Sequence, residues 1–180
     1  WSSDVCSSDL LIIDIPELTA REDHRGIVMA TVVCVRIGEE AFGTNAGFGQ
    51  LMLTIRAEFE SELDALDAEI CARARAYARQ DGITNVEVQY RDSFPETRNT
   101  PDAVAAVRKA RLECGLPEAH WDEPFRSSED FGCYTKLTSG ALFYIGCGTR
   151  HAKLHTREYD FNDEIIEPAV DMMFRLAQDA

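Results

Sequence analysis

The sequence predicts an α/β chain in two parts. An incomplete β-α-β-β-α-β sandwich comes first, and a strand, loop and helix of the kind that closes an α/β domain comes second. Three observations predict it. An apolar, β-branched segment and an alternating one flank a glycine-rich connection between residues 27 and 57. A helical stripe follows at Leu63, Leu66, Ile70 and Ala74, at steps of 3, 4 and 4. Later, an unalternating apolar run from Ala141 to Gly148 ends in glycines ahead of a polar loop and a terminal helix.

The opening stretch, WSSDVCSSDL, has four serines, two aspartates and no helical or strand period. It lacks the basic start and apolar run of a signal peptide. One choice of codons for it resembles the adapter ligated to fragments in short-read DNA sequencing. Residues 1–10 are therefore expected to be an adapter-like, non-native segment lying outside the fold, with the protein's own sequence entering at Leu11 partway through a longer chain.

Composition narrows the class. The formal charge is −14, and −12 without Asp4 and Asp9. So acidic a chain repels phosphate backbones, which excludes nucleic acid as an expected partner. Apolar residues make up 45%, too many for a disordered chain, and no run approaches the ~18 apolar residues a membrane span needs. Cys34, Cys71, Cys114, Cys133 and Cys147 are odd in number and scattered through apolar segments, which suits reduced thiols in a cytoplasmic protein.

In chain order, LLIIDIPELTARE reads as the tail of an amphipathic segment interrupted at Pro16. Ile27 to Ile37 is a strand, GEEAFGTNAGFG a wide connection, and Gln50 to Ala57 a half-buried strand. That second strand puts Leu51, Leu53 and Ile55 on one face and Gln50, Met52, Thr54 and Arg56 on the other. Ser61 is placed to cap a helix that Gly82 stops, and NVEVQYRD returns as a third strand. Thr100 and Pro101 open a helix reaching about Cys114. SSEDFGCYTKL predicts a short helix capped by Ser128, and Asn162 caps a last helix with Ile165, Ile166, Val170, Met173, Phe174 and Leu176.

Two of these segments carry a resemblance. SSEDFGCYTKLTSGALFYIGCG followed by LHTREYDFND is similar to the C-terminus of the metal-dependent amidohydrolases related to aminoacylase, hippurate hydrolase and the auxin-conjugate hydrolases. That aminoacylase-type metallopeptidase family uses a GSEDF helix start, an FFxLGxG strand and an LHxPxxDFND loop. EEAFGTNAG ahead of LTIR resembles the family's GGTAFNVIP turn and GTVR strand, with equal phenylalanine-to-arginine spacing. Gly43, Ala46 and Ser127 depart from the pattern, which bears on substrate preference.

The resemblance implies that residues 11–95 form a lid, or dimerisation, domain lacking its first strand. Residues 96–180 would then be the C-terminal part of the zinc-peptidase-like catalytic domain. It further implies that His155 ligates one of two catalytic divalent ions (Zn, Mn or Co), neutral imidazole being their usual ligand. Arg56 would reach from the lid toward the substrate's carboxylate, which suits a guanidinium fork. The implied reaction is cleavage of the amide bond of N-acyl amino acids or small peptides by metal-activated water, in a homodimer joined through the lids. The family's other metal ligands and its general-base glutamate belong to its N-terminal half, so no catalytic residue is expected here and the chain alone is expected to be inactive.

Blander readings stand beside these. Cys147, His151 and His155 recur at spacings of four, yet a structural zinc site takes four ligands in tight pairs, and the glycines around Cys147 read as a strand end. Glu129 and Asp130 are first-turn acids favoured by the helix dipole. The alternative function is a non-catalytic small-molecule-binding or dimerisation module with a ferredoxin-like sandwich. Such a module has no need of a strand, loop and helix ending in LHTREYDFND.

Overall fold

The computed structural model describes residues 7–40, 42–43, 46–149 and 151–178. The fold is mixed α/β, with a two-stranded antiparallel sheet and helices, and the chain divides into two compact units, Trp1–Glu96 and Thr97–Ala180.

In the first unit, α1 (Ser7–Thr19) precedes a hairpin of β1 (Val28–Ile37) and β2 (Gly49–Ala57), and α2 (Glu60–Gln80) follows. An isolated hairpin is marginal in water, so its stability comes from what covers it. Here α1 and α2 both pack on one sheet face. Leu11, Leu18, Val28, Leu66 and Ile70 form the buried cluster, with Ala30, Leu51, Leu53, Ile55, Ala57, Ala74 and Tyr77 packed around it. The alternation expected of the second strand is thus present, with Leu51, Leu53 and Ile55 inward and Arg56 exposed. One irregularity interrupts the ladder. Val32 pairs with Leu53 and Cys34 with Met52, leaving Val33 as the extra residue of a β-bulge.

Polar contacts hold α1 on α2. Arg73 meets Asp14 at 3.0 Å, Glu69 at 3.0 Å and Glu17 at 3.7 Å, and the Tyr77 hydroxyl donates to Asp14. The Tyr77 hydroxyl, aided by Arg73, holds the Asp14 carboxyl below the usual carboxylate range against the opposing effect of burial.

Both glycine stops form the predicted helix ends. Gly82 sits at φ +74°, and Ile83 N–H returns to the Ala78 carbonyl at 2.8 Å. Gly115 sits at φ +66°, and Leu116 N–H returns to Arg111 at 3.1 Å. Each is a Schellman closure, which a side chain at that φ would strain.

Several expectations are corrected. Residues 1–6 lie outside the described residues, but Ser7 to Leu10 are not outside the fold: they are half-buried and open α1, and the Ser7 hydroxyl donates to Asp81. Once Leu11, Ile15 and Leu18 fix a helix, extending it toward the N-terminus needs no new nucleus. Pro16 does not interrupt that helix, which runs through it to Thr19. Ser61 is not the cap of α2. Phe59 holds that position, and the Ser61 hydroxyl accepts from Arg25 Nη2 at 2.7 Å.

The third strand is also missing. Residues 83–91 carry no ladder, although the Tyr90 hydroxyl donates to Asp67 on α2 at 2.8 Å. Alternation assigns faces, but a strand needs a neighbour in register, and among the described residues this segment has none.

In the second unit, α3 (Pro101–Glu113) and α5 (Ile166–Gln178) pack together, with the four-residue α4 (Gly132–Thr135) between them in sequence. α4 starts later than expected, with Phe131 rather than Ser128 at the capping position, and Glu129 and Asp130 precede it as exposed residues. Ala141 to Gly148 is not a doubly buried strand. It is half-buried at best, and Asn99 supplies its pairing: the side-chain amide donates to the Leu142 carbonyl and accepts from the Leu142 N–H, both at 2.9 Å. Of the apolar residues of α5, Met172 is buried, while Ile166, Val170, Met173 and Phe174 are about half exposed or more. No helix among the described residues is long and apolar enough to cross a membrane.

Candidate functional site

His155 lies in the polar loop between the 141–148 segment and α5. Its backbone is left-handed, φ +66°, a conformation that costs a residue with a Cβ and is enriched in glycine and asparagine. Beside it, Thr156 turns the chain: its N–H and hydroxyl both donate to the Lys153 carbonyl, at 3.2 and 2.7 Å. The base of the loop is tied by Asn162. Its Nδ2 donates to the Cys147 carbonyl at 3.2 Å, and its Oδ1 accepts from Glu164 N–H at 3.1 Å, which caps the 3₁₀ turn leading into α5. The sequence announced the cap but not the tie to Cys147, because a bond across fourteen intervening residues leaves no local periodic signal.

The loop therefore presents the imidazole outward. Among the described residues, His155 makes no hydrogen bond or ion pair, and its side chain is exposed. His151 instead donates from Nδ1 to the Ala152 carbonyl at 2.8 Å. Among the described residues no three His, Cys, Asp or Glu side chains converge in a way that could hold a metal ion. One exposed imidazole falls short of the three or four protein ligands a divalent site takes, so these residues do not by themselves make a metal centre.

Arg56 stands near the end of β2, on the sheet face away from the helices. Register places Met29 opposite Arg56 and Thr31 opposite Thr54, and these four line a shallow depression of about 250 Å³. Thr54 and Arg56 were legible as one face of β2. The partners from β1 become visible only once the hairpin register is known.

Comparison with known proteins completes the picture. The profile of Peptidase family M20/M25/M40 matches residues 14–179. The chain belongs to this family. An uncharacterized hydrolase of Staphylococcus haemolyticus is 27% identical over 133 residues, which is 71% of this chain and 34% of that protein. A crystal structure described as that of an aminohydrolase from methicillin-resistant Staphylococcus aureus matches 96% of this chain and 45% of its own, with a TM-score of 0.75 at 17% identity. That second likeness is one of fold alone. The chain spans a third to a half of the length of these relatives.

Proposed function

We propose that this M20-family chain is the lid and the last wall of a metal-dependent amidohydrolase that cleaves the amide bond of N-acyl amino acids or small peptides. His155 is one ligand of a divalent ion whose remaining ligands lie outside this chain, and Arg56 receives the substrate's carboxylate. The observation that carries the reading is the His155 loop. An exposed imidazole with no hydrogen-bond or ion-pair partner among the described residues, held in a costly backbone conformation on a loop closed at its base, is poorly explained by packing. A divalent ion in such an enzyme supplies Lewis acidity and a water of lowered pKa. What this chain contributes is one nitrogen donor and a guanidinium fork for an anion. Alone it has no turnover.

The homodimer follows from the same reading. β1 offers an apolar strand edge, which pairing between two lids would cover. The cytoplasm, with its reduced thiols, suits the five cysteines free among the described residues.

The test uses both this chain and a full-length M20 enzyme carrying it. The 180-residue chain, supplied with zinc, manganese or cobalt, should show no chelator-sensitive hydrolysis of hippurate. In the full-length enzyme, His155→Ala should remove one metal equivalent by elemental analysis and nearly all activity, and light scattering should report a dimer. Chelator-sensitive turnover by the chain alone, or full metal content in His155→Ala, would refute the assignment.

A further inference from the structure

We infer that the depression around Arg56 also selects the amino-acid part of the substrate, and that Met29 is the residue that does so. This rests on the carboxylate reading of Arg56 and adds a specificity determinant to it. Four side chains line the depression, two from each strand: Met29 and Thr31 from β1, Thr54 and Arg56 from β2. Met29 is paired with Arg56, and Thr31 with Thr54, on the face turned away from α1 and α2. Directly opposed residues on one face have Cβ atoms about 5 Å apart, so a small ligand held by one side chain lies within reach of the other.

The chemistry of the four is divided. Arg56 offers a forked cation and the threonines offer hydroxyl donors. None of these four lining residues carries a negative charge, in an otherwise acidic chain. Met29 is the apolar member. Its unbranched, polarisable thioether adapts to apolar groups of different shape but offers an ion no compensating bond. A carboxylate on the Arg56 fork leaves the substituent of the adjacent carbon against Met29. An aliphatic or aromatic substituent buries apolar surface there, whereas a second carboxylate loses water and gains nothing. The substrates favoured are therefore N-acyl derivatives of apolar amino acids, over those of aspartate or glutamate.

Binding can be read without turnover. The 180-residue chain, with labelled methionine methyls and arginine guanidinium nitrogens, is titrated by NMR with N-acetyl-L-leucine, N-acetyl-L-glutamate and N-acetyl-L-leucinamide. Leucine's derivative should shift both the Arg56 and Met29 signals and bind about fivefold tighter than the glutamate derivative, with the amide weaker still. Met29→Lys should invert the leucine–glutamate order, Met29→Gln should bring the two near parity, and Met29→Leu should keep it. Amide dispersion of β1 and β2 in the same spectra reports whether each variant is folded. Equal affinity for both carboxylates with a still Met29 methyl overturns the role of Met29 while leaving that of Arg56. An amide that binds as well as the acids, or an Arg56 signal that never moves, overturns the Arg56 reading itself and this inference with it.

Discussion

The Asn162 side chain joins the two ends of the His155 loop, donating to the Cys147 carbonyl at 3.2 Å at one end and capping the turn before α5 at the other. Removing it should free both ends. Asn162→Ala is expected to cost about 1–2 kcal/mol, the sum of a lost cap and a lost tie, with faster amide exchange across residues 148–161. Asn162→Asp keeps the acceptor that caps Glu164 but loses the donor, and should fall between the two. Unchanged exchange in the alanine variant would show that the loop is held by something else.

His155 itself is expected to oppose stability. At φ +66° a glycine has no Cβ to crowd, so His155→Gly should raise the unfolding free energy by up to about 1 kcal/mol in chemical denaturation. A loss of stability would mean that the imidazole makes a contact the fold depends on, and would weaken the case for a chemical role.

The core gives a contrast. Leu18 is 2% exposed and central to the cluster under α1, so Leu18→Ala should cost about 2–5 kcal/mol. Met173, 59% exposed on α5, should cost no more than about 0.5 kcal/mol when cut to alanine. A paired urea titration checks both, and comparable losses would mean that α5 buries its apolar face in solution.

Acid response should be visible at Asp102. The Ser139 hydroxyl donates to its carboxylate at 2.6 Å and, with Thr100 and the Ala103 N–H, holds its pKa at about 2. Because the folded value lies below the unfolded one, the stabilisation is complete above pH ~4 and is lost as the pH falls toward ~2. Ser139→Ala should move the Asp102 titration, followed by carboxyl NMR, back toward the ordinary value. An unmoved titration would show that this hydroxyl is not the cause.

What the sequence made legible was local. The stripe of α2 announced Leu66 and Ile70, the alternation of β2 announced its inner row, and Gly82, Gly115 and Asn162 announced helix ends that need particular backbone or capping chemistry. What it hid depends on distant partners. Ser61 and Ser128 have a capping residue's chemistry, but Ser61 is engaged by Arg25 and the turn that α4 continues begins past Ser128. NVEVQYRD has a strand's alternation but no ladder partner among the described residues, and Ala141 to Gly148 finds its pairing in the Asn99 side chain. The site divides in the same way. Arg56 and His155 were conspicuous by motif, whereas Met29 and Thr31 come into view only through cross-strand register.

The bulge at Val33 carries a consequence for how β1 can change length. Before it, Val28 and Ala30 face the core from even-numbered positions. After it, Val35 pairs with inward-facing Leu51 from an odd-numbered one. Deleting Val33 would leave Val32 inward, Cys34 outward and Val35 inward, a regular strand with every remaining side chain on its present side. Deleting Thr31 instead would turn part of the strand over unless the bulge closed to absorb the loss. Val33 is thus a spare residue, the place where this strand can be shortened by one without being rewritten.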